Sequence, residues 1–235
     1  MISFDQLPLS RDILQALSEF HINYVFQPIF KSDGKTVYAW EALMRPQEMS
    51  VTELIAKYQK EDRLHILEVA TFFGAMQAYE LRGYSERIAI NSFPSECIAS
   101  DEAEVFRDCF GEGIRGRMII EILEYPSFSL DKWLIKNDSV RYMDNMFSLD
   151  DYGTGLNDMD KVVFLKPDIV KLDRSLISDI DMDVSKQENC REAIGKLHDL
   201  NKLVVAEGIE TREEFDYLVS LGADLFQGYY LARPQ

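Results

Sequence analysis

The chain has 235 residues, 46% of them hydrophobic, and carries 41 acidic against 25 basic side chains for a formal net charge of −16 at pH 7. That length buries one sizeable core and fits a single domain. So acidic a balance excludes a general nucleic-acid-binding surface, which needs Lys and Arg to displace counterions along phosphates, so an anionic substrate has to be held by metal ions and a few placed cations.

Along the chain, Ser10–Phe20 carries Ile13, Leu14, Leu17 and Phe20 at helical spacing behind a capping Ser10 and predicts an opening helix. Short apolar runs then predict strands over Tyr24–Phe30, Val37–Met44, Arg87–Asn91, Met118–Ile122, Met146–Asp150, Ile169–Leu172, Leu203–Ala206 and Leu225–Tyr229. Amphipathic stretches predict helices over Val51–Lys60, Arg63–Arg82, Glu102–Phe110, Leu130–Asp144, Gln187–Leu200 and Thr211–Leu221. Eight strands alternating with helices predict an α/β fold closed as a (β/α)8 TIM barrel. The short turn Ser32–Lys35 joins the first two strands as a hairpin, so the barrel is a modified one with an antiparallel strand pair at its start.

Residues 1–235 read as one domain, and the Asp-rich segment Ser178–Glu188 is its expected mobile loop. Gln235 follows the last strand with no residues left for a final barrel helix, so an apolar strip is expected beside strands eight and one, exposed or filled by a neighbouring chain. Cys97, Cys109 and Cys190 are odd in number and form no CxxC, the usage of reduced thiols in a cytoplasmic protein. His21, His65 and His198 are too dispersed for a zinc site. No apolar run approaches the roughly 18 residues of a membrane span.

Acidic residues fall where separate apolar runs end: Glu41 in VYAWEALMRP, Glu121 in MIIEILE, Asp150 and Asp151 in MFSLDDYGTG, and Glu207 in LVVAEGIE. Strand alternation puts Ala89 with Asn91, Ile119 with Glu121, Ser148 with Asp150, and Val205 with Glu207 on shared faces. Barrel sites lie at the C-terminal strand ends, so five carboxylates and one amide oxygen converge there. Two bare carboxylates about 4 Å apart repel by about 4 kcal/mol at an effective dielectric near 20, a cost that divalent cations remove. The pattern describes a metal site. Singly, each residue has a plainer reading: Lys171 and Asp173 as an ion pair, Asn91 as a turn former, Gly153 and Gly155 as a backbone turn, Gln27 and Arg45 as solvated side chains.

In order, QPI from Gln27, EALMR from Glu41, Asn91, EILE from Glu121, DDYGTG from Asp150, KLDRSLI from Lys171, VVAEGIET from Val204 and FQGYYLARP from Phe226 resemble the EAL phosphodiesterases, which hydrolyse the bacterial second messenger cyclic di-GMP. The resemblance implies that Glu41, Asn91, Glu121 and Asp150 hold one Mg²⁺ or Mn²⁺, and that Asp150, Asp151 and Glu207 hold a second. It places Lys171 beside the attacking water, Gln27, Arg45 and Gln227 near the substrate, and Glu124, Glu210 and Asp173 behind them, the two glutamates holding loops over the site. It further implies pGpG as product, cyclic di-GMP rather than a nucleic-acid polymer or a membrane as partner, a homodimer through the loop after Asp151, and room for a regulatory protein.

Three departures stand out. Leu156, Asn157 and Asp158 replace an aromatic and two small hydroxyl residues, Leu123 replaces a threonine, and Pro46 follows Arg45 in place of an aromatic. The altered loop is expected to weaken second-ion coordination and slow turnover. The alternative function is a catalytically weak domain that senses cyclic di-GMP or engages a protein.

Overall fold

The structure, a computed structural model, describes residues 4–19, 23–154 and 157–235. Phe20, His21, Gly155 and Leu156 lie outside the described residues. Eight strands close into a barrel in chain order: β1 Asn23–Lys31, β2 Val37–Arg45, β3 Arg87–Ser92, β4 Met118–Ile122, β5 Met146–Tyr152, β6 Ile169–Leu172, β7 Leu203–Glu207 and β8 Leu225–Gln227. Every residue of β4 and β6 is buried, as expected of strands packed inside the barrel and under helices at once.

β1 runs antiparallel to both β2 and β8, and the other six pairs are parallel. The β1–β2 turn is held by Asp33, whose carboxylate accepts from the Lys35 and Thr36 amides at 2.9 and 2.8 Å, with Gly34 at φ +62°. Inside, Ile29, Ala39, Ala89, Ile119, Ile169, Val205 and Leu225 form an apolar plug. The residues two positions nearer the mouth on the same strands are Gln27, Glu41, Asn91, Glu121, Lys171, Glu207 and Gln227. The pleat therefore stacks a polar layer directly on an apolar one, and this layer is the floor of the site.

Around the barrel lie α1 Arg11–Glu19, α2 Val51–Lys60, α3 Leu64–Arg82, α4 Ser100–Phe110, α5 Leu130–Tyr142, α6 Met159–Leu165, α7 Arg174–Ile177, α8 Val184–Asp199 and α9 Arg212–Leu221. α6 and α7, of seven and four residues, are too short to show a helical period and are not visible in the sequence pattern. The segment expected to be a mobile loop is instead a tied turn followed by α8. Asp183 caps that helix by accepting from the Lys186 amide, Lys186 Nζ donates to the Ser178 carbonyl at 2.7 Å, and Gln187 Nε2 donates to the Ile180 carbonyl at 2.8 Å. Of its acids Asp183 is a cap, while Asp179 and Glu188 remain exposed.

β8 ends at Gln227, two residues before the expected boundary, because Gly228 lies against the backbone of Ile209, where a Cβ would come within 2.1 Å of the carbonyl oxygen. The apolar strip expected beside β8 is not found among the described residues. Phe226 is fully buried under Phe215 of α9, ring centroids 5.0 Å apart, and Gln235 exchanges two backbone hydrogen bonds with Phe26 of β1. Among the described residues no helix is long and apolar enough to cross a membrane.

One ion pair is enclosed in the wall. Lys136 of α5 donates from Nζ to Glu68 Oε1 of α3 at 2.9 Å, to the Phe93 carbonyl at 2.7 Å and to Ser92 Oγ, and Glu68 accepts in turn from Ser92 Oγ and the Phe93 amide. The two charged side chains are 5% and 1% exposed, so the pair stands or falls on these bonds. It grips the end of β3 immediately after Asn91.

Candidate active site

Lys171 is the centre of the polar layer. Its side chain is fully buried, and Nζ lies 3.0 Å from Asp150 Oδ1, 3.1 Å from Glu207 Oε2, 3.4 Å from Glu121 Oε1 and 3.5 Å from Glu41 Oε2. Burial alone would push this ammonium down, but the charges of Asp150, Glu121, Glu207 and Glu41 hold it well above the usual lysine value. One cation thus faces four carboxylates. The plainer reading, an ion pair with Asp173, does not hold: Asp173 caps α7 by accepting from the Ser175 amide at 2.8 Å.

The surplus of negative charge shows in the acids themselves. Burial pushes Glu121 well above the carboxylate range, against the pull of Lys171 and with the charges of Glu41, Asp150 and Glu207 adding to it. Glu207 is raised to about 8, first by burial, then against Lys171 and with the charges of Asp150 and Glu41. Asp151 is raised to about 6 by burial and by its neighbour Asp150. Gln227 donates from Nε2 to Glu41 Oε2 at 2.5 Å and so fixes that carboxylate.

Asp150 and Asp151 are consecutive, and a plain strand would send them to opposite faces. The pairing of β5 with β6 shifts between Leu149 and Tyr152, and Asp151 takes φ +52°. This bulge re-aims the second acid to where Lys171, Asp173 and Glu124 act on it. Asn91, in register with Glu121, lines a cleft with Glu41, Arg45, Leu123 and Asp150. A second cleft is lined by Gln27, Asp173, Arg174, Glu207, Glu210 and Gln227.

The outer residues divide. Arg45 is exposed at the end of β2, its Nη1 donating to the Met44 carbonyl at 2.9 Å. Gln27 donates from Nε2 to the Ala232 carbonyl at 3.2 Å, tying the floor to the last residues of the chain. Glu210 acts through Arg174, which pairs with it at 2.8 Å and also donates to the Gly208 carbonyl just after Glu207. Arg174 is a residue the sequence pattern does not single out; its only signal is its place two residues beyond the end of β6.

The donors suit a hard divalent cation, since all are carboxylate or amide oxygens. Glu121 Oε2 is buried without a hydrogen-bond partner, while Asp150 Oδ1 and Glu207 Oε2 face the Lys171 ammonium at 3.0 and 3.1 Å, so these buried oxygens lie open to a cation. As they stand, the acids surround the Lys171 ammonium, and among the described residues no three His, Cys, Asp or Glu side chains close on a single common point. The residue types, all oxygen donors, are those a Mg²⁺ or Mn²⁺ site uses.

A pH dependence follows. The Glu207 carboxyl titrates near 8 in the folded state against 4.5 ordinarily, so between these values the folded protein holds a proton that the unfolded chain has released. Stability of the metal-free protein therefore falls as pH rises through that window, although the side chain is still 31% exposed and solvent screens part of the effect. Melting temperatures taken across this range should decline with pH, and Glu207→Gln should make the decline shallower. An identical slope in the variant rules out this assignment.

The EAL domain family model matches residues 10–234. The cyclic di-GMP phosphodiesterase TpdA of Vibrio parahaemolyticus is 27% identical over 220 residues, covering 92% of this chain and 37% of the relative. The cyclic di-GMP phosphodiesterase NbdA of Pseudomonas aeruginosa is 24% identical over 97% of this chain and 31% of its own length. The chain spans about a third of these curated relatives. Among solved structures, a manganese and cyclic di-GMP complex of Klebsiella pneumoniae BlrP1 is 27% identical with a TM-score of 0.76, over 91% of this chain and 56% of that one. A standalone EAL protein of Vibrio cholerae O395 bound to cyclic di-GMP shares the fold at a TM-score of 0.82 and 24% identity, over 92% of this chain and 93% of that one.

Proposed function

This chain belongs to the EAL domain family, and on that premise we propose that it hydrolyses one phosphodiester bond of cyclic di-GMP to give linear pGpG. The observation that carries the reading is the complete polar layer, in which Lys171 lies within 3.5 Å of Glu41, Glu121, Asp150 and Glu207. Glu41, Asn91, Glu121 and Asp150 would hold one Mg²⁺ or Mn²⁺, and Asp150, Asp151 and Glu207 a second. Such ions, when bound, acidify water and neutralise charge on the phosphate oxygens.

The chain's own residues supply the rest. Lys171 brings a buried, permanently charged ammonium to the floor, where it stabilises the attacking oxygen and the charge that grows on the phosphoryl group. Gln227 keeps Glu41 in one orientation through its amide. Arg45, with five N–H donors at the rim, is placed to meet a phosphate or a guanine edge. The clefts on the Arg45 and Gln27 sides give room for the two halves of the dinucleotide. Incubation with cyclic di-GMP in Mn²⁺ and in EDTA, followed by chromatography, tests the reading: pGpG should form only with metal. Tight nucleotide binding with no product in Mn²⁺ would move the protein to the sensor class.

The same reading puts the protein in the cytoplasm, where Cys97, Cys109 and Cys190 stay the free thiols they are here. We further propose a homodimer contact on α5, the residues just before it, and α6. There Phe128, Leu130, Leu134, Val163 and Phe164 are exposed together, Phe128 and Phe164 with ring centroids 5.5 Å apart. Since α6 begins just after the Asp150–Asp158 loop, this contact would bear on the site. Phe164→Asp should shift sedimentation from dimer to monomer, and an unchanged profile removes this face from the account.

A further inference from the structure

The loop after β5, where Asn157 and Asp158 depart from the EAL pattern, carries a device of its own. Neither neighbouring strand pairs with Asp150: β4 stops at Ile122 opposite Leu149, and β6 resumes only at Tyr152. The bulge that aims Asp151 therefore leaves Asp150 and Asp151 out of the strand register. The carbonyls of both accept hydrogen bonds from the loop. Thr154 donates from its amide and from Oγ1 to the Asp151 carbonyl at 3.2 and 2.9 Å. Asn157 donates from Nδ2 to the Asp150 carbonyl at 2.6 Å.

Asn157 is 1% exposed, and its own backbone closes the loop, its carbonyl accepting from Gly153 at 2.9 Å and its amide donating to Thr154 at 3.1 Å. Only the amide nitrogen can donate to a carbonyl, so its orientation is settled by chemistry. A serine at this position has a shorter side chain and would not span the same gap. Asp158 is committed elsewhere, capping α6 through the Lys161 amide at 3.1 Å.

We infer that Asn157 is a positioning residue, which holds the Asp150 carbonyl where the strand register breaks and thereby fixes Asp150 where it serves both groups of cation-binding oxygens. The inference rests on the proposed metal site and turns the expectation for this loop around: converting Asn157 to the family's hydroxyl residue weakens the site. It is tested by titrating Mn²⁺ into the metal-free full chain and following the resonance of the free ion by electron paramagnetic resonance. Asn157→Ala should bind Mn²⁺ about 10- to 100-fold more weakly than wild type, the range for losing a residue behind a metal ligand. The Mn²⁺ concentration for half-maximal turnover should rise by the same factor, with KM for cyclic di-GMP unchanged. Asp158→Ala, which removes only the α6 cap, should lower the melting temperature without changing Mn²⁺ affinity. If Asn157→Ala does not fold, Asn157→Ser supplies the comparison. Equal Mn²⁺ affinity in wild type and variant overturns the inference even where hydrolysis stands. Should wild type bind Mn²⁺ without hydrolysing cyclic di-GMP, the functional reading fails while the affinity ratio still decides the role of Asn157. No Mn²⁺ binding by wild type overturns both.

Discussion

Asp150→Asn is expected to reduce phosphodiester hydrolysis by about a thousandfold or more while leaving the barrel folded. The substitution keeps the shape of the side chain and removes one charge from a layer in which four carboxylates face one ammonium. Loss of a single placed stabilising group in an enzyme site costs about 100- to 1,000-fold, and Asp150 would serve two cations at once. Repulsion between carboxylates about 4 Å apart is worth about 4 kcal/mol at an effective dielectric near 20, so the metal-free variant should melt no lower than wild type. Turnover in Mn²⁺ and metal-free melting curves read both halves. Near-normal turnover would remove Asp150 from the chemistry, and a collapse of the melting temperature would make its role structural.

Lys136→Met is expected to destabilise the fold by about 3–5 kcal/mol, the cost of breaking a buried pair by deleting one partner. Glu68 would keep its carboxylate 1% exposed with only the Ser92 hydroxyl and the Phe93 amide as donors. The double variant Lys136→Met, Glu68→Gln removes both charges and should recover most of the loss, because apolar or neutral replacements of a buried pair are often near neutral. Urea denaturation of the three proteins tests this. A single-variant loss below about 1 kcal/mol would mean that the pair is relaxed by water.

Much of the architecture is legible in the sequence for a simple reason. Strands buried on both faces, such as Met118–Ile122 and Ile169–Leu172, are runs apolar but for one site residue each, Glu121 and Lys171, and their expected and observed boundaries coincide. The polar layer is legible too, because Asn91, Glu121 and Glu207 each stand two residues beyond a plug residue, namely Ala89, Ile119 and Val205. The same alternation places Lys171 inward above Ile169, among the acids, whereas Asp173 lies past the end of β6 and caps α7 instead.

What was not legible depends on contacts distant in sequence or on backbone choices that side chains do not announce. The bulge at Asp151 needs a left-handed non-glycine residue, which nothing in MFSLDDYGTG marks. Glu68 and Lys136 lie 68 residues apart and read as ordinary helix-surface charges until α3 and α5 meet over β3. Ser178–Glu188 looks like solvated acidic chain because capping Asp183 and free Asp share a letter. Burial of Phe226 likewise depends on Phe215 of α9, which composition cannot place.

The central claim is that water, activated at this polar layer, attacks phosphorus in a cyclic dinucleotide. Hydrolysis of cyclic di-GMP in ¹⁸O-labelled water with Mn²⁺, followed by mass spectrometry of the product, tests it directly. The account predicts pGpG carrying one ¹⁸O on its terminal phosphate, formed by wild type and absent with Asp150→Asn. Cyclic di-GMP recovered intact and unlabelled from the wild-type reaction, with nucleotide bound, would contradict it.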